Sequence, residues 1–386
     1  MRVCLVYDCL FPWTVGGAER WYRNLAARLA AEGHEVTYLT RLQWDAGDPP
    51  RLPGVRVIAV SSRDELYGAD GNRRVVPPLK FGAGVLRHLW RHGRDYDVVH
   101  TASFPYFSLL AAGLARRRGG FGLVVDWHEV WTKGYWESYL GRAGGRIGYA
   151  VQLACVRIPQ RAFCFSRLHR DRLLAEGARS APTILEGEYA GDLAAPVPND
   201  AEPVVVFAGR HIREKRATHV PHAVAEARRS LPELRGVVFG DGPERALVEE
   251  AIAGAGAGAF VTAPGFVDHG VLDGALRTAL CMLLPSSREG YGMIVVEASS
   301  KGTPSVVVAG EDNAAVELVE DGVNGVVAAS AEPGDLAGAV LRVHAQGRGL
   351  RERTCAWFAV NAARLSLEHS LAQVAGAYAR WDRARS

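Results

Sequence analysis

Short β-branched and aliphatic runs alternate with stretches of helical periodicity along most of this chain. "VCLVY" (3–7) is followed by the helical "AERWYRNLAARLAAEG" (18–33), then by "EVTYLT", "VRVIAV", "DVVHTA", "GLVVDW" and "AFCFS". Short β-branched runs separated by helical stretches predict βαβ units and a mostly parallel sheet covered on both faces. Past residue 200 the alternation restarts with "PVVVFAG", a helix to Arg229, "RGVVFGDG", the helical "ERALVEEAIAG", "AFVTAPG", "ALCMLLPS", a helix through Ser300 and "PSVVVAG". The pattern therefore predicts two doubly wound α/β domains. Between them "EGEYAGDLAAPVPNDAEP" (186–203) lacks periodicity and carries proline, glycine and acids, which is linker composition. The expected domains are 1–195 and 196–367, with a C-terminal helix over about 368–386 packing back on the first; the tail from Arg351 reads as helices long enough for that.

Composition refines this picture only slightly. The 386 residues are 48% hydrophobic and 23% charged, an ordinary soluble composition. The net charge of +3 hides an asymmetry: 26 Lys+Arg stand against 19 Asp+Glu in residues 1–195, and 19 against 23 in the rest. A basic first half fits an anionic acceptor or a membrane surface as well as ordinary uneven surface charge. Nucleic acid is not an expected partner, because the basic positions are scattered apart from Arg116 to Arg118 at the end of a helical run. Only positions 80, 133, 215 and 301 are Lys, so arginine richness looks like codon bias. Six cysteines form no C-x-x-C pair, and no stretch reaches the roughly 18 apolar residues of a spanning helix. The expected location is the reducing cytoplasm, with any membrane contact peripheral; "KFGAGVLRHLWRHGR" (80–94) is the candidate amphipathic patch.

Several motifs are decoys. "GAGAGA" (254–259) precedes a strand, whereas a dinucleotide fingerprint must follow one and open a helix. The first strand leads to adjacent Gly16 and Gly17 without a G-x-G-x-x-G, and no Walker loop exists, so a nicotinamide or flavin oxidoreductase is disfavoured. Asp95 and Asp97 imitate an Asp-x-Asp metal clamp but stand before a strand, at the wrong edge of a parallel sheet. His88 and His92 lie four apart without the glutamate of H-E-x-x-H. No metal site is expected.

The informative chemistry leaves the carboxyl edge of the second sheet. "VVVFAG" runs into "RHIREKR", placing Gly209, Arg210 and Lys215 there; two cations suit a diphosphate, though surface cations opening a helix would look the same. "LCMLLPS" leads into "SREGYG", which opens the helix "MIVVEASSKG", so the N–H groups of Gly290, Tyr291, Gly292 and Met293 form a candidate anion nest. Glu289 and Glu297, eight apart, could be read as a hydrolase's carboxylate pair. Glycosidase carboxyls lie about 5–9.5 Å apart, and a loop-to-helix separation gives Cα atoms roughly 8–12 Å apart, so distance alone does not decide. A diphosphate cradle between them does: it serves a nucleotide sugar, with Glu297 on a ribose and Glu289 on a hexose.

Taken together, "GGAERW" (16–21), "GRHIREK" (209–215), "GDGPE" (240–244), "REGYGMIVVEASSKGTPSVV" (288–307) and "VEDGVNGVV" (319–327) resemble the family 4 retaining glycosyltransferases of the GT-B fold. The resemblance implies two Rossmann-like doubly wound domains facing across a cleft, with a nucleotide-diphosphate sugar, most simply a UDP- or GDP-sugar, on the second domain. It implies a small-molecule or glycolipid acceptor on the first, no cofactor and no obligatory metal. Arg210 and Lys215 would neutralise the diphosphate, Glu289 would hold the donor sugar and Glu297 the ribose. The loop "PGFV", with Phe266 and Val267, would read the base through its backbone, and Gly16 and Gly17 would admit the phosphates and acceptor. A sugar-nucleotide epimerase, phosphorylase or hydrolase of the same fold is the alternative.

Two departures qualify the match. Many relatives have a histidine two residues after the one in "DVVH", where this chain has Ala102; His100 is left as a strand-end residue. The "PNGVD"-like turn near the linker is replaced by "EGEYAGD". Finally, "DWHEVWTKGYWESYLG" (126–141) is rich in aromatic residues beyond a strand's carboxyl edge. It is either core filling or an acceptor platform, in which Asp126, His128 and Glu129 would orient a hydroxyl or amine and His128 is the leading catalytic candidate.

Overall fold

The computed structural model describes residues 1–45, 47–66 and 74–382. The first compact unit is built on strands β1 (Arg2–Val6), β2 (Glu35–Arg41), β3 (Val55–Ser61), β4 (Val98–Ala102), β5 (Gly122–Trp127), β6 (Arg161–Cys164) and β7 (Thr183–Ile184). They form one parallel sheet in the order β3-β2-β1-β4-β5-β6-β7. Helices α1 (Gly17–Ala31), α2 (Val76–His92), α3 (Phe107–Gly119), α4 (Lys133–Val156) and α5 (Arg167–Ala175) connect them. β4 and β5 are buried at every position, which is why they are mostly apolar, with His100, Thr101 and Asp126 as buried polar exceptions.

The second unit has strands β8 (Glu202–Ala208), β9 (Arg235–Phe239), β10 (Val261–Gly265) and β11 (Ala279–Leu284), the short β12 (Arg288–Glu289), β13 (Ser305–Val308), the short β14 (Asp312–Asn313) and β15 (Gly325–Ala328). Six of these make a parallel sheet in the order β10-β9-β8-β11-β13-β15, and β12 pairs with β14. Its helices are α6 (His219–Ala227), α7 (Arg245–Gly254), α8 (His269–Thr278), α9 (Met293–Ser299) and α10 (Pro333–Leu365), which breaks at Gly347. The chain ends in α11 (Leu367–Asp382).

The units are Met1–Leu185 with Ser370–Ser386, and Glu186–His369. The chain thus changes unit ten residues before the boundary expected at 195. The reason is local: Tyr189 exchanges backbone hydrogen bonds with Leu365 and Leu367, its hydroxyl donates to Ser300 at 2.8 Å, and Tyr291 Oη donates to the Glu186 carbonyl at 2.6 Å. The stretch of linker composition is therefore anchored on the second unit. The tail divides too. Arg351 donates to the carbonyls of Ala279 and Arg277, so α10 belongs to the second unit, and only the chain from Ser370 packs with the first.

Candidate functional site

In the second sheet β8 continues to β9 on one side and to β11 on the other, and the exits of β8 and β11 flank the point where the strand order reverses. Such a switch point opens a crevice at the carboxyl edge of a parallel sheet. Gly209 and Arg210 follow β8 directly, and Lys215 closes a short 3₁₀ turn, Arg213–Lys215. The turns after β8 and β9 interlock. Gly209 N donates to the Phe239 carbonyl and His211 N to that of Asp241, and a Cβ on Gly240 (φ +116°) would lie 1.9 Å from the Gly209 carbonyl oxygen. Glycine is required there by close approach as well as by φ.

From the neighbouring exit of β11, Glu289 reaches Lys215: Nζ donates to Oε1 at 2.5 Å, and Ser286 Oγ donates to the same oxygen at 2.7 Å. The two loops are stitched by Ser287 N, which donates to the Glu214 carbonyl at 2.8 Å. Asn313 of β14 donates to the Ser286 and Val308 carbonyls, holding the loop from behind. The pair is largely dry, with side-chain exposures of 23% for Lys215 and 8% for Glu289, while Arg210 is exposed.

The remaining positions expected in the donor site are dispersed around this centre. Gly292 caps α9 with φ +105°, and a Cβ there would meet that of Ala315 at 2.6 Å. Helix α9 is only seven residues long, Met293 opens it, and Glu297 is half-buried in its second turn. The Tyr291 side chain is buried and spent on the Glu186 carbonyl, so it is a structural anchor, while Gly290 joins it to β12. Phe266 is exposed and Val267 half-buried in the loop after β10.

In the first unit Gly16 caps α1 in extended conformation. A Cβ at Gly16 would meet the Glu19 carboxylate, whereas Gly17 has open space around it. Beyond β5 the expected trio divides. Asp126 is fully buried, accepting from Trp21 Nε1 at 2.7 Å and lying 2.8 Å from His100 Nε2, while His100 Nδ1 is 2.5 Å from the Tyr378 hydroxyl of α11. Burial opposes its ionised form, but the adjacent His100 overrides this, with His128 and the Trp21 hydrogen bond adding to it, and holds the carboxyl below its ordinary range. Asp126 is thus a buried structural acid rather than an acceptor contact, and His100 is its partner. His128 stacks on Phe165 at 4.6 Å; its Nε2 is buried without a hydrogen-bond partner, and burial lowers its pKa against the pull of Asp126 and Glu129.

The decoys resolve structurally. Asp97 accepts from the Arg2 backbone at 2.8 Å, and His88 meets the Tyr96 hydroxyl at 2.8 Å. Among the described residues no group of three His, Cys, Asp or Glu is placed to hold a metal ion, and no helix is long and apolar enough to cross a membrane.

Two doubly wound parallel sheets, and family models matched by both halves of the chain, define a glycosyltransferase of the GT-B fold. Residues 16–185 match the Glycosyl transferase 4-like domain and residues 192–355 match Glycosyl transferases group 1. The chain belongs to this glycosyltransferase family. It is 28% identical to a glycogen synthase of Mycobacterium tuberculosis over 89% of this chain and 85% of that one. It is 28% identical to the 2-deoxystreptamine N-acetyl-D-glucosaminyltransferase of Streptomyces fradiae over 77% of each. A stretch spanning 46% of each chain is 32% identical to the alpha-D-kanosaminyltransferase of Streptomyces kanamyceticus. In fold it is similar to sucrose-phosphate synthase from Thermosynechococcus elongatus (TM-score 0.79, 19% identity, 99% of both chains). It is similar too to Anabaena HepE, solved in complex with UDP-glucose (TM-score 0.70, 18% identity, 98% of this chain and 100% of that one).

Proposed function

We propose that this protein transfers a sugar, with retention of anomeric configuration, from a nucleoside-diphosphate donor to a small amine- or hydroxyl-bearing acceptor. The observation that carries the reading is the contact of Lys215 with Glu289 between the exits of β8 and β11, with exposed Arg210 in the turn that follows β8. Arg210 and Lys215 neutralise the diphosphate, and Glu289 accepts from the donor sugar's hydroxyls. Glu297 takes the ribose, the backbone after β10 at Phe266 and Val267 takes the base, and the N–H groups from Gly290 to Met293 supplement the phosphate contacts. The new bond forms between the acceptor heteroatom and the anomeric carbon as the bond from that carbon to the phosphate oxygen breaks. The acceptor's proton passes to the departing oxygen, and the two cations stabilise the charge growing on it. No carboxylate attacks the sugar, and no metal is required.

Relatives named for 2-deoxystreptamine glycosylation support a role in natural-product decoration, and HepE's complex with UDP-glucose supports a uridine donor. The assignment to a reducing cytoplasm rests on six buried free thiols. Peripheral membrane contact through exposed Trp90 and Leu79 of α2 would direct the same chemistry to a glycolipid. The test is a panel of UDP-, GDP- and dTDP-sugars in thermal-shift and turnover assays, with the product linkage read by NMR. A product whose anomeric configuration matches the donor's (from an α-linked donor, an axial glycosidic bond and an equatorial anomeric proton), and turnover insensitive to EDTA, are expected. Inverted product refutes the mechanism, and free sugar released without acceptor dependence favours the hydrolase alternative.

A further inference from the structure

The loop leaving β5 carries an aromatic cluster packed on the first unit's hydrophobic core, with Trp136 inside that core and Trp131 and Phe104 against it. Trp131 is half-buried, and four rings surround it: Tyr135 at 4.8 Å, Tyr139 at 5.2 Å, Trp136 at 4.7 Å and Phe104 at 5.6 Å between centroids. Tyr135 and Tyr139 are one helical turn apart at the start of α4 and lie nearly parallel, at 17°. Both are half-buried.

This cluster is held by polar chemistry at its base. Gln152, fully buried on α4, accepts through Oε1 from Tyr106 Oη at 2.9 Å, Trp131 N at 3.2 Å and Trp136 Nε1 at 2.9 Å. Its Nε2 donates to the Trp131 carbonyl and to the Glu176 carboxylate, each at 2.9 Å. Burying an amide is costly unless every group is satisfied, and here the return is a rigid Trp131 loop. Two carboxylates accompany the rings: Glu176 through Gln152, and Glu129, whose Oε2 accepts from Trp131 Nε1 at 2.7 Å. Aromatic faces attract cations through their quadrupoles, and the Glu129 carboxylate at the Nε1 edge of the central indole adds negative charge beside the cluster.

We propose that Trp131, Tyr135, Tyr139 and Glu129 form an acceptor subsite selective for a cationic saccharide or cyclitol, one bearing ammonium groups on a ring whose apolar face stacks on the aromatics. The inference rests on the glycosyltransferase reading above and names the acceptor class for it. The position is the one expected of an acceptor group, at the carboxyl edge of the first sheet. Rigid aromatic rings bring contact area at little entropic cost. A neutral polyol would gain the stacking alone; an aminocyclitol gains both.

The test is direct binding to the full chain by tryptophan fluorescence or calorimetry, with and without saturating UDP, using 2-deoxystreptamine as the cationic probe and myo-inositol as the neutral one. The wild type is expected to favour the cation at least tenfold. Glu129→Gln keeps an acceptor for Trp131 Nε1 but removes the charge, and is expected to reduce the preference to below about threefold. Tyr139→Leu is expected to weaken both probes, and UDP affinity is expected to be unchanged in both variants. Equal binding of the two probes by the wild type, or an undiminished preference in Glu129→Gln, overturns the subsite. Absence of UDP binding to the wild type, with the cation preference intact, instead counts against the donor reading.

Discussion

Lys215 and Glu289 are the sharpest place to perturb the donor site, because their ion pair joins two loops of one unit that are 74 residues apart in sequence. Exposed pairs contribute about 0.2–1 kcal/mol, and removing one member of a fully buried pair costs about 3–5 kcal/mol. This pair lies between those limits: the exposures are 23% and 8%, and Ser286 continues to hold Glu289 when the lysine is gone. A charge-assisted hydrogen bond of that kind contributes about 1.5–3 kcal/mol. Lys215→Met, Glu289→Gln and the double variant, unfolded by heat and urea, are expected to give a coupling energy in that range. For a unit of this size, about 2 kcal/mol corresponds to a Tm shift of about 4–8 °C. Turnover in Lys215→Met is expected to fall about 10²–10³-fold, the usual effect of removing one charge-stabilising donor, with the acceptor probes still bound. A coupling energy under about 0.5 kcal/mol, the scale of additivity between independent sites, would show that the contact is incidental; unchanged turnover would refute the site.

Three other outcomes follow from the packing. Tyr378→Phe removes the phenol beside His100 Nδ1, so a loss of about 1–2 kcal/mol and faster hydrogen exchange across residues 370–382 are expected; unchanged protection would mean the contact does not hold the helix. Gly292→Ala places a side chain at φ +105° and against Ala315, so about 1–3 kcal/mol of destabilisation together with loss of UDP-induced thermal shift is expected. Burial, with His92 and Arg56 nearby, lowers the His88 pKa from 6.5 to about 4, so its contribution is present above pH 6.5 and is lost as pH falls toward 4, where the unfolded chain takes up a proton that the folded one refuses. The urea midpoint of His88→Gln is expected to drop less than that of the wild type between pH 7 and pH 4.5, and an equal drop would contradict the assignment.

What could be read ahead of the structure was whatever a short window of sequence determines. β11 is apolar throughout, and β4 and β5 begin with apolar runs, because both faces of a parallel sheet are covered, and the turns beyond β8 and β11 declare themselves by glycine and charge following such a run. Partnerships between distant residues have no such signature. His100 and Tyr378 are 278 positions apart, and the contact that makes His100 structural comes from the last helix of the chain. An aspartate at the fifth position of "GLVVDW" did carry a usable signal, since an acid within a fully buried strand must have partners. The identity of those partners, Trp21 and His100, was not legible, and so Asp126 looked available to a ligand. The linker failed for a different reason: its composition reports the lack of periodic structure, whereas its attachment is decided by Tyr189 and Tyr291.

The pairing of Lys215 with Glu289 also changes how the proposed donor grip must operate. As a pair the two side chains are nearly neutral, which leaves exposed Arg210, in the turn after β8, as the cation proposed to meet a diphosphate first. Glu289 is fixed independently of the lysine, since Ser286 holds its Oε1 and Asn313 holds the Ser286 carbonyl. The lysine, on a flexible stem and with the greater exposure, is the member able to turn toward a phosphate while the carboxylate stays in place for the sugar. In the proposed arrangement a nucleotide sugar would compensate both halves of the pair at once, with phosphate for Lys215 and hydroxyls for Glu289. A nucleoside diphosphate compensates only one and leaves a nearly dry carboxylate without its cation. On the proposed reading, the ion pair that orders the two loops would favour the intact donor over the product that must leave.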